Sequence, residues 1–158
     1  MALVIETGSL ISGANSYVSV DNFITWAESR GISFTLDDTL IEHSILRAMD
    51  YFESLHFLGL KSDENQALQW PRDQVYIDGY SVSSDEIPNE VKNAIYELVK
   101  IEFDGDSYMS AQERQVVSEK VGDIQVTYKD TVGMRRRTPA FQHQVRKLVH
   151  NPTTVGRS

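Results

Sequence analysis

The chain has no cysteine among its 158 residues. That excludes disulfides, thiolate metal sites and a cysteine nucleophile, and it fits a reducing compartment. No apolar run approaches the ~18 residues of a membrane span. The start, Met1-Ala2-Leu3-Val4-Ile5-Glu6, has no basic flank and too short an apolar stretch for a signal peptide. The expectation is a protein made and kept in the cytoplasm, with no membrane partner. Chemistry is also scarce. His43, His56, His143 and His150 form no HExxH pattern and no zinc-ligand spacing, and there is no G-x-S-x-G elbow and no P-loop. Asp37-Asp38 and Asp85-Glu86 precede helical patterns, where helix-start electrostatics accounts for them. Asp104 and Asp106 flank Gly105 but lack the further ligands of a calcium loop. The sequence therefore predicts no enzyme, no catalytic residue, no cofactor and no metal.

Acidic charge is missing from one end. All 23 Asp and Glu lie at or before Asp130, where they face 9 basic residues, a formal −14. The last 28 residues hold only Arg135, Arg136, Arg137, Arg146, Lys147 and Arg157, a formal +6. A chain split this way commonly reaches a partner with its minority-charge end. The net charge of −8 argues against a general nucleic-acid coat, which needs Lys and Arg for phosphate.

What is present is mostly helical pattern. A short helix is expected from Asp21 to about Gly31, with Phe23, Trp26 and Ala27 inward. A longer one runs from Asp37 or Asp38 to about Leu55 on the stripe Ile41, Ile45, Ala48, Met49, Phe52 and Leu55, with Glu42, Arg47, Asp50 and Glu53 on the other side. A third starts at Pro88 and buries Val91, Ala94, Ile95, Leu98 and Ile101. Residues 56–87 read as a long loop, interrupted by Gly59, Pro71 and Gly79 yet holding Trp70, Tyr76 and Tyr80. Alternation over 117–128 around Gly122-Asp123 predicts a β-hairpin. Thr138-Pro139 opens a last helix with Phe141, Val145, Leu148 and Val149 on one stripe. The fold class expected is mainly α: a small helical bundle of three to four helices with a long loop-rich middle segment, a β-hairpin near 116–128 and a C-terminal amphipathic helix. Residues 1–130 are expected to form the body, and 131–158 a basic arm with a docking helix.

The best-defined local signature is Gln66-Ala67-Leu68-Gln69-Trp70-Pro71-Arg72, followed by Asp78-Gly79-Tyr80 and Ile87-Pro88-Asn89-Glu90-Val91-Lys92. Ala14-Asn15-Ser16-Tyr17-Val18-Ser19-Val20 stands upstream and Ser118-Glu119-Lys120-Val121-Gly122 downstream. In this order, from about Leu3 to Tyr128, these segments resemble a family of tailed-bacteriophage proteins often labelled DnaT-like single-stranded DNA-binding protein. That family looks like the head–tail adaptor (connector) proteins of phage virions. The resemblance implies a non-enzymatic structural protein that assembles with itself into a ring of twelve copies beneath the portal protein. It would meet the next tail or head-completion protein and pass double-stranded DNA through its channel without gripping it. Its place would be the virion head–tail junction, reached after assembly in the host cytoplasm. The label itself implies the alternative, a single-stranded DNA-binding module.

Two groups of candidate residues follow. Arg135, Arg136, Arg137, Phe141, Val145, Arg146, Leu148 and Val149 fit an amphipathic basic helix laid into a groove of the portal. The arginines also suit DNA phosphates or plain solvent, and the apolar stripe also suits the chain's own core. Trp70, Arg72, Tyr76, Tyr80, Val117, Val121, Ile124 and Val126 are candidates for the subunit interface. Trp70 equally suits a core position with Arg72 paired to a nearby acid, and Trp70, Arg72, Tyr76 and Tyr80 offer a short surface for base stacking.

Overall fold

Four helices frame the core of the described chain, and the first two carry a side-chain cap on their first turn. The structure, a computed structural model, describes residues 2–34, 37–104, 118–121, 124–127 and 139–150. Helix α1 (Val20–Glu28) is capped by the Ser19 hydroxyl, which accepts from the Asn22 N–H, and it buries Phe23, Trp26 and Ala27. Helix α2 (Asp38–Glu53) is capped by Asp37, whose carboxylate accepts from the Thr39 N–H. It buries the stripe Ile41, Ser44, Ile45, Ala48, Met49 and Phe52. Helix α3 (Asn89–Phe103) follows Pro88, which has no N–H to satisfy. Helix α4 (Pro139–Val145) turns Phe141 and Val145 inward.

α3 lies between α2 and α4 and supplies the centre of the core with Val91, Ala94, Ile95, Leu98 and Val99. Ser44 and Arg47 of α2 both reach Glu102 of α3, the first with a hydroxyl bond of 2.7 Å. Phe23, Trp26, Phe34, Tyr96 and Phe103 stack at one end, with ring centroids 5.2–6.2 Å apart. The chain after α4 then runs beside residues 56–58. Leu58 N–H donates to Leu148 O, His150 N–H to His56 O, and Leu148 is fully buried. Residues 139–150 therefore belong to the same core as the rest, and the Tyr51 and Phe141 rings meet at 5.9 Å. No helix among the described residues is long and apolar enough to cross a membrane.

The fold is mixed, which corrects the expectation of a mainly α bundle. Beside the helices stand three two-stranded antiparallel ladders. They pair β1 (Leu60–Lys61) with β2 (Arg72–Asp73), β3 (Tyr76–Ile77) with β4 (Tyr80–Ser81), and β5 (Ser118–Val121) with β6 (Ile124–Thr127). Two of them lie inside the segment that reads as loop. Their strands are two residues long, too short for a period-2 pattern to register in sequence. Between β3 and β4, Asp78 and Gly79 both take positive φ, 52° and 88°. That is the type I′ turn for which Asp-Gly is a strong signal.

Candidate functional site

The signature Gln66–Arg72 builds a scaffold. The Gln66 side chain binds its own loop, donating to Leu68 O at 2.8 Å and Pro71 O at 3.0 Å and accepting from the Asp63 N–H. The Trp70–Pro71 peptide is cis. Trp70 is 0% exposed, and its N–H donates to the Tyr17 hydroxyl at 2.9 Å. That hydroxyl donates in turn to Glu53 at 2.5 Å, while the Gln69 N–H donates to the other Glu53 oxygen at 2.7 Å. Arg72, 7% exposed, donates to Leu58 O, Gly59 O and both Gln69 oxygens, at 2.7–3.2 Å. The Gln66 and Arg72 side chains are thus spent mainly on local backbone, with Gln69 Oε1 accepting from Arg72, while the buried Trp70 indole N–H has no hydrogen-bond partner among the described residues.

Burial sets the electrostatics of this network. It raises the Glu53 carboxyl, an effect only partly offset by the Tyr17 hydroxyl, the Gln69 N–H and the charges of Lys61 and Arg72. It raises the Tyr17 hydroxyl too, with the Glu53 charge adding to the shift. It lowers the Arg72 guanidinium against the pull of Tyr17 and Glu53. Glu53 reads in sequence as part of the solvent side of α2. Its only sequence signal is position: it follows Phe52 and lies one turn beyond Met49, at the border of the buried stripe.

The exposed chemistry lies next door. Tyr76 is 62% exposed and Tyr80 80%. In the β3–β4 register Tyr76 faces Ser81 and Ile77 faces Tyr80. Opposed residues share a face and neighbours alternate, so the two tyrosines project from opposite faces of the ribbon. The Tyr80 face continues through half-buried Ile77 to Val75, which is fully buried. The base of the hairpin is therefore anchored in the core while its tip stands out. Lys147, just past α4, reaches that tip: its Nζ lies 2.6 Å from Asp78 Oδ2. Arg146 beside it is exposed. Lys147 thus meets the turn between the two exposed tyrosines from some seventy positions away in the chain, and no sequence pattern announces it. Leu60 of β1, 61% exposed, is a further apolar group on the surface.

The other candidates divide. Phe141, Val145 and Leu148 are buried in the chain's own core and Val149 is packed against it. Trp70 and Arg72 are likewise interior. Val121, Ile124 and Val126 stand in the β5–β6 ladder, where Val121 pairs with Ile124 and Glu119 with Val126. Val117, Arg135, Arg136 and Arg137 lie outside the described residues. Among the described residues no cluster of three or more His, Cys, Asp and Glu is placed to hold a metal ion.

A family model described as "Putative DnaT-like ssDNA binding protein" matches residues 1–157. No curated protein and no solved structure matches the chain.

Proposed function

The chain belongs to the DnaT-like ssDNA-binding protein family, and from that premise we propose that it is a non-catalytic protein that holds single-stranded DNA at the Tyr76–Tyr80 hairpin and the basic end of α4. The observation that carries this reading is the meeting of Asp78 with Lys147, which brings the turn of the two exposed tyrosines to Lys147, the chain neighbour of exposed Arg146. Single-strand binders combine such rings, on which bases stack, with cations that follow the phosphates. The tyrosines' opposite faces add a preference. A strand places a base on each only by passing over the tip with its bases swung apart, which a paired duplex resists. Cations are few, so stacking supplies a large share of the affinity. The test is fluorescence anisotropy with a labelled single-stranded oligonucleotide and a duplex competitor. Tyr80→Ala and Tyr76→Ala are each expected to cost about 1–3 kcal/mol. Absence of binding at low salt overturns the reading.

A second reading is the head–tail adaptor, a ring-forming virion protein without enzymatic activity that docks beneath the portal at the head–tail junction, after assembly in the host cytoplasm. What favours it is the charge of residues 1–130, 9 basic against 23 acidic, since a channel of like charge does not grip a passing duplex. Native mass spectrometry of the protein with and without the portal from the same genome tests it. Loading onto the portal ring in matching copy number supports the adaptor, and a protein that ignores the portal counts against it.

A further inference from the structure

We infer that Lys147 is a phosphate-contacting residue and that Asp78 is its built-in competitor, an inference that rests on the single-stranded DNA reading. The Asp78 carboxylate presents to Lys147 what a phosphodiester presents, an anionic oxygen at charge-assisted hydrogen-bond distance, 2.6 Å. The turn fixes it there. Asp78 is held at φ 52° between Ile77 and Gly79, in the turn that joins the strands of the two exposed tyrosines, and its carboxylate meets Lys147 there. A strand whose base stacks on either ring brings its backbone to the place where this carboxylate already sits. Binding then requires exchange: Asp78 releases Lys147, and a phosphate takes it. The carboxylate also repels the strand until that exchange occurs. The pair thus acts as a threshold that favours strands able to stack, because phosphate attraction alone meets an occupied lysine.

The experiment is a double-mutant cycle in the full chain, read by anisotropy with an oligothymidylate across about 50–200 mM salt. Asp78→Asn keeps the turn, since Asn tolerates positive φ. It is expected to tighten binding by up to about fivefold and to steepen the salt dependence by up to about 0.7 in log–log slope. Lys147→Gln is expected to weaken binding and flatten the slope, and in that background Asp78→Asn is expected to give no gain. Asp73→Asn, at an exposed acid of β2 whose carboxylate accepts from the Gln74 N–H, is the control and should leave affinity unchanged. A gain from Asp78→Asn that persists without Lys147, or no gain in a protein that binds the oligonucleotide, overturns the inference and leaves the reading standing. No binding by any of the four proteins overturns both.

Discussion

The Tyr17 hydroxyl donates to Glu53 and accepts from the Trp70 N–H, so one atom ties the N-terminal segment, α2 and the middle segment together. Removing it leaves a buried N–H without an acceptor and takes from the Glu53 carboxylate one of its two donors, the other being the Gln69 N–H. Tyr17→Phe is accordingly expected to cost about 1–3 kcal/mol, read as a lowered midpoint in urea with the slope unchanged. Glu53 carries a pH signature. Its folded-state carboxyl lies above the ordinary value of 4.5 because of burial. Below that value it is protonated whether folded or not, and its contribution is fully present. As pH rises through the folded value the unfolded state sheds its proton first, so the contribution is lost. Stability is expected to fall as pH rises from about 4.5, and Glu53→Gln should flatten that part of the profile. An equal slope in the variant would assign the pH dependence to another group. At this scale the sequence is legible where a residue has one plausible place. Ile45 and Phe52 read as core, and both are fully buried. Trp70 and Arg72 do not decide themselves, because the same residue types anchor interfaces and cap cores, and only the Leu58, Gly59 and Gln69 oxygens around Arg72 settle the matter.

Helices α2 and α3 are read nearly to their ends because fifteen or sixteen residues carry four turns of stripe. The two ladders in the middle segment escape because each strand offers two residues and their partners are fixed by tertiary bonds. Gly59 shows how tight this region is. It takes φ 71°, and a Cβ built there falls 2.2 Å from the Asp73 carbonyl oxygen, where strand β2 crosses it. Gly59→Ala combines a left-handed backbone with a clash against backbone, so a loss of about 2 kcal/mol or more is expected by thermal melting. A variant as stable as the parent would mean that β1 and β2 can part without cost. Helix α4 illustrates the opposite difficulty. Its stripe is legible, but a stripe does not say which surface receives it. α3 and Tyr51 receive Phe141, and Phe141→Ala is expected to cost about 3–5 kcal/mol.

The uneven charge is the property of the whole molecule that the sequence displays most openly, and its use depends on keeping stability and binding apart. Deleting residues 131–158 removes Phe141, Val145 and Leu148 from the core together with six cations. Loss of any binding after that deletion would report an opened core as readily as a lost contact. Replacing Arg135, Arg136 and Arg137 together by Gln takes no side chain from the described core and leaves α4 and Lys147 in place. If these arginines neutralise phosphates, the log–log salt slope of single-strand binding should fall by about 2, three charges at about 0.7 each. Thermal stability is expected to stay within about a degree or two of the parent, since no side chain of the described core is touched. An unchanged slope with unchanged stability would confine phosphate contact to Lys147 and Arg146 beside the hairpin. It would also turn attention to a protein partner for the arginine triplet, for which the 23 acids of residues 1–130 offer a complement within a second copy of the same chain.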